Sequence, residues 1–251
     1  GIDPAAIPAS AGRRPFDDEM ADVLDAFSPT VVSFHFGLPR PDLLARVKLR
    51  GAFVLSSATT LNEARWLVAN GADGVIAQGL EAGGHRGHFL DRDVTQQAYT
   101  FDLLKQLTPH IQVPIIAAGG IADAQGVQAA MAAGAAAVQV GTAFLLCHEA
   151  KTSALHRARL SDQQAPTALT NLFTGGLARG LCNRVMHELG PQSAAAPVFP
   201  MATQSIAPLR TKAEANQRDD FTPLWSGMNR SGCAACPAAE IVHQLAAGFT
   251  H

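Results

Sequence analysis

The sequence has little of what marks secreted, membrane-spanning or disulfide-rich proteins. Its 251 residues include only four cysteines, too few for a disulfide framework in so long a chain. Apolar runs are short and interrupted, and none approaches the roughly 18 to 20 residues that cross a bilayer. No charged-then-apolar signal segment opens the chain. We therefore expect a protein of the cytoplasm, outside the membrane.

Charge of one sign is also scarce. Nineteen basic and 21 acidic residues give a formal net charge of −2, and the basic residues are scattered along the chain. This pattern argues against nucleic acid or an anionic membrane as partner. We therefore expect a small-molecule partner. Because 47% of the residues are hydrophobic, the chain has the composition of a packed globular protein.

Short apolar runs alternate with amphipathic, alanine-rich stretches from about residue 20 to residue 147. The runs are continuously apolar, as in strands that helices cover on both faces, which predicts a parallel α/β sheet. We predict strands at Val31–Gly37, Ala52–Ala58, Gly74–Gly79, Val113–Gly119 and Ala137–Leu145.

The predicted helices carry their own start and stop signals. Thr60 with Glu63 forms a capping box, and Gly71 ends that helix. Asp123 begins another helix, which stops at Gly134. The connection from Leu80 to about Ala98 is unusually long, and long loops in compact domains are usually functional.

The βα alternation stops after Leu146. We predict that residues 149–190 are helical and that the charged stretch Lys212–Asp220 is weakly structured, while Pro191–Pro208 is rich in Ala, Pro and Ser. The expected organisation is therefore a β/α domain over residues 1–148, a helical lid over 149–220, and a return to the first domain over 221–251. The last helix is expected at Pro237–Ala247.

The densest chemical signal is AQGLEAGGHRG, Ala77 to Gly87, directly after the third predicted strand. Glycines such as Gly83 and Gly84 let the backbone bend and approach a ligand closely. The imidazole of His85 can then act as a base, an acid or a hydrogen-bond donor. A glycine-rich connector with a solvated histidine is the alternative.

Two consecutive predicted strands end in small residues. IIAAGGIAD places Gly119 and Gly120 before a helix, and VQVGTAF ends its strand at Gly141 and Thr142. In parallel barrels, phosphate groups often bind at the loops after the last two strands, where backbone N–H groups meet the anion. The alternative for each glycine is helix–strand packing.

Other candidates carry weaker signals. His35, near the end of the first predicted strand, and Ser57 are candidates for the substrate side, although a histidine in the core is the alternative for His35. Cys233 and Cys236 have C-x-x-C spacing without a second pair, which favours a structural role, and no metal site is predicted. Trp225 either covers a ligand or anchors the tail.

The runs AQGLEAGGHRG, PIIAAGGI and VQVGTAFL, in this order, make the chain resemble the nitronate monooxygenase family, FMN-dependent (β/α)8 barrels formerly called 2-nitropropane dioxygenases. The resemblance implies that His85 is catalytic and that Gln78 and Gly83 contact the flavin. It also implies that Gly120 and the run Gln139, Val140, Gly141 and Thr142 hold the FMN phosphate and ring edge.

The resemblance also predicts a difference from the family barrel. Five strands are visible where eight are needed, so strands 4 to 8 of the TIM barrel are expected here. Either the three preceding strands lie in an upstream segment outside this sequence, or the chain is a fragment, and the start at Gly1 without a Met favours a cut chain. Met228 also stands where related proteins tend to carry Gln.

The activity implied is oxidation of alkyl nitronates, of the propionate 3-nitronate type, with O2 to a carbonyl compound and nitrite. The enzyme alternative is an NAD(P)H-dependent reductase of quinones or enoyl thioesters on the same barrel. A second alternative is an inactive, truncated barrel. A homo-oligomer is compatible with all three.

Overall fold

A computed structural model describes residues 14–249. The chain divides into two compact units. The sheet unit comprises Arg14–Leu80, Gly87–Gln139 and residues 248 and 249. The hairpin unit comprises Glu81–Arg86 and Val140–Ala247. The predicted division at residues 148 and 220 stays a prediction, as does the helical lid.

A five-stranded sheet forms the centre of the sheet unit. The strands are β1 (Val31–Phe34), β2 (Phe53–Ala58), β3 (Gly74–Gln78), β5 (Ile115–Ala118) and β6 (Ala137–Gln139). They lie in the order β1-β2-β3-β5-β6 and all pair in parallel. Every residue of the central β3 is buried, as expected for a strand covered on both faces. The predicted parallel α/β architecture is confirmed, and the eight-stranded barrel remains a prediction.

Helices connect these strands and follow the predicted caps. They are α1 (Asp18–Phe27), α2 (Pro41–Leu49), α3 (Leu61–Ala69), α4 (Thr100–Leu107) and α5 (Ala124–Ala132). The Thr60 hydroxyl accepts a hydrogen bond from the Glu63 amide, and the Asp123 carboxylate accepts one from the Gly126 amide. Both side chains satisfy amide groups that a helix start leaves unpaired. A short 3-10 helix, Val94–Gln96, lies in the long connection.

The hairpin unit is built around an antiparallel sheet of three short strands. These are β4 (Gly84–His85), β7 (Thr167–Thr170) and β8 (Ala178–Leu181), in the order β4-β8-β7. The other elements are a 3-10 helix (Thr142–Leu146), α6 (Ala154–Ser161), α7 (Arg184–Leu189), α8 (Ala202–Ala215) and α9 (Ala238–Ala246). No helix within residues 14–249 has both the length and the apolar character that crossing a bilayer requires.

Three sequence predictions after residue 139 are wrong. The strand predicted over Ala137–Leu145 ends at Gln139, since the chain turns at Gly141 into a 3-10 helix. Residues 149–190 are not helical throughout, because they contain the β7–β8 hairpin. Lys212–Asp220 is not weakly structured over its first part, because α8 continues to Ala215.

The physical reason lies in local signals that point both ways. Residues 167–170, TALT, carry two β-branched threonines, and these favour a strand only where a partner strand lies alongside. Helix α8 contains Pro208 in its interior, which local propensity disfavours. In both segments tertiary context overrode a weak local preference.

Candidate functional site

The His85 side chain belongs to the hairpin unit, on the short strand β4. The two residues of β4 pair with β8, Gly84 opposite Arg179 and His85 opposite Ala178. The next amide, that of Arg86, donates to the Leu177 carbonyl oxygen. His85 therefore lies on the edge strand of the three-stranded sheet, and the functional role of the long connection stays a prediction.

A threonine on the β7–β8 connection holds the His85 ring. The Thr174 Oγ1 atom lies 2.9 Å from His85 Nε2. The same oxygen lies 3.2 Å from the Gly176 carbonyl oxygen and 3.2 Å from the Gly176 amide nitrogen. If the threonine proton goes to the Gly176 carbonyl, Oγ1 accepts from both the Gly176 amide and His85 Nε2. That arrangement satisfies all three contacts and puts the ring proton of neutral His85 on Nε2.

Two aromatic rings also pack against His85. The ring centroids of Phe199 and Trp225 lie 5.6 Å and 5.5 Å from that of the imidazole. Trp225 packs edge-on against Phe173, with centroids 5.6 Å apart, and its backbone forms a bridge with Gly180. The contact with Thr174 and these two aromatic rings, all within one unit, thus help to hold the His85 ring. Trp225 therefore contacts the candidate catalytic residue, and both of its predicted roles, covering a ligand and anchoring the tail, stay predictions.

His156 lies behind this cluster. Burial lowers the pKa of His156 from its ordinary value of 6.5, while a hydrogen bond with the Trp225 backbone acts in the opposite direction. Its Nε2 atom is buried and has no hydrogen-bond partner among the described residues. A buried imidazole without a partner at Nε2 favours the neutral form.

The His156 environment predicts a pH-dependent stability. Because the folded pKa is lowered, the neutral ring stabilises the fold fully above about pH 6.5, and this contribution is lost as the pH falls through the folded value. We expect the free energy of unfolding, measured by urea titration, to decrease below pH 6.5. The His156→Gln variant should show a smaller decrease between pH 6.5 and 5. Replacement of the exposed His110 by Gln should leave the wild-type slope, and an unchanged slope in His156→Gln would contradict this assignment.

The glycines of the EAGG run have distinct environments. A Cβ on Gly83 would lie 2.5 Å from the Gly227 nitrogen and 2.6 Å from the Ser226 carbonyl carbon, so the tail backbone packs directly on Gly83. Gly84 has a φ of +76°, and no atom lies within 4 Å of a Cβ placed there. Gly83 is therefore required for backbone packing, and Gly84 for its left-handed conformation.

The run from Gln139 to Thr142, predicted to hold the flavin, differs from residue to residue in burial and in hydrogen bonding. Gln139 is exposed, Val140 is half-buried, and a Cβ on Gly141 would meet no atom within 4 Å. The Thr142 hydroxyl accepts a hydrogen bond of 2.9 Å from the Gly227 amide, so it supports the tail. Gly141 thus leaves open space beside its backbone in the hairpin unit.

In the sheet unit, four candidate residues meet where β1, β2 and β3 end. His35 Nδ1 lies 3.0 Å from Ser57 Oγ. The Gly87 amide donates to Gln78 Oε1 at 2.7 Å. A Cβ on Gly87 would lie 2.7 Å from His35 Cε1 and 2.9 Å from Ser57 Cβ. His35 is exposed and follows β1 directly, so the alternative of a core histidine is wrong.

Gly119 and Gly120 follow β5 in left-handed backbone conformations. Their φ values are +120° and +73°, which disfavour residues with a Cβ. The Thr100 hydroxyl donates to the Gly119 carbonyl oxygen at 2.9 Å. This turn is therefore fixed by a buried threonine from the start of α4.

The C-x-x-C pair is part of the tail packing. Cys233 Sγ donates to the Thr142 carbonyl oxygen at 3.1 Å, and burial raises the pKa of its thiol to about 11. All four cysteines are free. Within residues 14–249 no group of histidine, cysteine or acidic side chains is arranged to hold a metal ion.

The structure brings the predicted residues together in two groups, one in each unit. Sequence reasoning missed Thr174, Phe199 and His156. Thr174 is 89 positions from His85, and a threonine in a connection carries no signal of such a partner. The buried Glu63 was recognised only as part of a helix cap.

Comparisons with known proteins agree with the motifs. A family model described as nitronate monooxygenase matches residues 4–248. The protein named nitronate monooxygenase in Pseudomonas aeruginosa is 41% identical over 86% of this chain and 62% of its own length. One of the same name in Paraburkholderia phytofirmans is 39% identical over 91% of this chain and 63% of its own length. This chain therefore spans somewhat less than two thirds of these relatives.

Solved structures give the same picture. The nitroalkane oxidase of Streptomyces ansochromogenes is 38% identical and superposes with a TM-score of 0.83 over 92% of this chain and 67% of its own. FabK of Thermotoga maritima is 26% identical, with a TM-score of 0.72 over 94% of this chain and 73% of its own. The family model covers nearly all of the described residues, including the EAGGH run that ends on strand β4. The chain therefore belongs to the nitronate monooxygenase family.

Proposed function

We propose that this chain acts in the FMN-dependent oxidation of alkyl nitronates, of the propionate 3-nitronate type, to a carbonyl compound and nitrite with O2 as the electron acceptor. The observation that carries the proposal is the ordered His85 ring, held by Thr174 and two aromatic side chains in a member of this family. The names of the relatives at 39% to 41% identity support the same substrate class.

The role proposed for His85 follows from the chemistry of its ring. A neutral imidazole carries one N–H donor and one nitrogen lone pair, and the contact with Thr174 orients the ring. We propose that the neutral ring accepts the α-proton of a neutral nitroalkane. For a nitronate, which is already ionised, the ring would instead orient the substrate and stabilise its charge.

The residues present fit a flavin phosphate and ring. In the sheet unit, Gly119 and Gly120 have positive φ values and no Cβ. In the hairpin unit, Gly84 and Gly141 have open space where a Cβ would stand. We propose that these glycines, with Gln78, Gly83, Gln139, Val140 and Thr142, hold FMN. When bound, FMN would supply the redox chemistry, and the protein would bind, orient and polarise.

His35 and Ser57 are proposed for the substrate side. Their side chains lie 3.0 Å apart where β1 and β2 end, and His35 is exposed. The carboxyl ends of parallel strands are where β/α enzymes place ligand-binding groups. Such a pair offers a hydrogen-bond donor to a nitro or carboxylate oxygen.

The proposal is tested by anaerobic mixing of the FMN-loaded protein with two candidate reductants. We expect propionate 3-nitronate to bleach the visible absorbance of the bound flavin and NADH to leave it unchanged on the same timescale. Admission of O2 should restore the absorbance, with nitrite formed. Rapid bleaching by NADH alone would contradict the proposal.

The reductase is the second candidate, because the structural similarity extends to FabK. It predicts the opposite result, bleaching by NADH and none by nitronate. Failure to retain FMN at all would favour the inactive, truncated barrel. The three readings thus give three different results in one experiment.

A further inference from the structure

We infer that Glu63 is a positioning residue that holds the turn carrying His35 in place through the segment 87–90. This inference rests on the proposed function, because it concerns the pair proposed for the substrate side. Glu63 is 2% exposed, although a carboxylate is among the side chains least often fully buried. Its hydrogen bonds explain why it is tolerated there.

Both carboxylate oxygens of Glu63 accept two hydrogen bonds each. Oε2 accepts from the Thr59 amide and the Thr59 hydroxyl, both at 2.7 Å. Oε1 accepts from the Phe89 amide at 2.6 Å and from the Leu90 amide at 3.2 Å. In a capping box the carboxylate would return to the amide of Thr60, the cap residue. Here it connects the start of α3 to a segment 26 and 27 residues further on.

Phe89, once held by this bond, packs against the turn that follows β1. Phe89 Cδ2 lies 3.3 Å from the position of a Cβ on Gly37, so the ring fills the space that this glycine leaves open. The opposite side of Phe89 meets Trp66, with ring centroids 5.2 Å apart. The Gly37 carbonyl oxygen accepts a hydrogen bond of 2.7 Å from the buried Ser56 hydroxyl. Phe89 and Ser56 therefore fix Gly37 from two sides.

The turn fixed in this way is strained. Phe36 has a φ of +66°, a region that bulky residues rarely adopt, and its ring is 45% exposed. A conformation of this kind persists only where the surroundings over-determine it, and it clusters at functional sites. His35 immediately precedes it, with its ring 4.4 Å from that of Phe36.

Gly87 provides a second contact between the segment 87–90 and the site, because it packs against His35 and Ser57. Its Cα packs so closely on His35 and Ser57 that a Cβ would overlap both side chains. Gln78 holds the Gly87 amide from the other direction. Loss of the Glu63 bonds would free the segment beyond Gly87, so both His35 and the strained turn would lose a support.

The test compares Glu63→Gln with the wild type in the FMN-loaded protein. Glutamine has the same shape as glutamate, but its side-chain NH2 group replaces one of the two carboxylate oxygens. This NH2 group cannot accept hydrogen bonds, so two of the four hydrogen bonds are lost. We expect faster hydrogen exchange at the Phe89 and Leu90 amides or at the Thr59 amide. We also expect kcat/KM for propionate 3-nitronate to fall about 10- to 100-fold, as for a displaced positioning group. The Asp123→Asn variant, which keeps a cap on α5, is the matched control and should change neither quantity.

A double-mutant cycle separates positioning from a general loss of structure. In a His35→Ala background, Glu63→Gln should lower kcat/KM by less than threefold, because the group being positioned is absent. Equal factors in both backgrounds would overturn the inference, as would unchanged exchange in Glu63→Gln. If the wild type oxidises no nitronate, the proposed function fails. In that case the hydrogen-exchange data still decide whether Glu63 holds the segment 87–90. The double-mutant cycle then uses the affinity of the FMN-loaded protein for the nitronate, measured with and without His35, in place of kcat/KM. If Glu63→Gln does not fold, Glu63→Asp is measured in the same cycle.

Discussion

Replacement of His85 by Asn is expected to lower the turnover of neutral nitroalkanes by about 10²- to 10⁴-fold, the usual contribution of a positioned general base. Nitronates prepared in advance should lose much less, because they have no α-proton to remove. The ratio of the two losses, measured as kcat/KM for nitroethane and for ethylnitronate, is the informative quantity. The asparagine amide occupies the position of Nδ1 and is shorter than the ring, so this variant loses the contact between Nε2 and Thr174 together with the proposed base.

Thr174→Val provides the matched control for this prediction. It removes the hydroxyl next to His85 Nε2 and retains the shape of the side chain. We expect a smaller loss on the neutral substrate than in His85→Asn, since the base itself remains. Equal losses on both substrates in His85→Asn would show that His85 binds or orients without removing a proton.

Replacement of Gly175 by Ala is expected to destabilise the protein by about 3 kcal/mol or more, the sum of backbone strain and steric overlap. Gly175 has a φ of +86°, and a Cβ there would overlap the Pro197 carbonyl oxygen and the Phe199 amide nitrogen. Both neighbours are backbone atoms, so no side chain can rotate away. The midpoint of urea unfolding should shift accordingly.

Gly190→Ala separates strain from overlap. Gly190 lies in the same unit with a φ of +76°, but the nearest atom to its Cβ position is 3.7 Å away. We expect a loss of about 1 to 3 kcal/mol there from backbone conformation alone, because Gly190 combines its positive φ with a ψ of 156°, a region that residues with a Cβ rarely adopt. If Gly175→Ala costs no more than Gly190→Ala, the packing of the 197–199 segment on Gly175 is looser than described.

The parallel sheet and its caps were predictable because their causes are local. Continuous apolar runs mark buried strands, and β1, β2, β3 and β5 lie within the predicted ranges. Thr60 and Asp123 cap helices by bonds to residues three positions ahead, so sequence spacing contains the whole interaction. The left-handed turn at Gly119 and Gly120 likewise follows from residue type.

The hairpin unit was not predictable in the same way, because its stability comes from distant partners. A two-residue strand such as Gly84–His85 has no periodicity to detect, and its partner β8 lies more than ninety positions away. Without that pairing, the threonines of β7 give only a weak preference. The local sequence of the hairpin therefore predicts a helical segment.

The sequence by itself determined that a parallel β/α sheet forms and to which family the chain is similar, and it marked EAGGH as the strongest candidate site. Only the tertiary structure decided which distant partners these side chains have: in the hairpin unit, Thr174 for His85 and the Trp225 backbone for His156, and in the sheet unit, the Phe89 and Leu90 amides for Glu63. The physical reason is the separation along the sequence over which each kind of interaction acts. Backbone conformation and burial pattern are set by neighbouring residues, whereas the partner of a buried polar group is set by which distant segment the fold brings within hydrogen-bond distance.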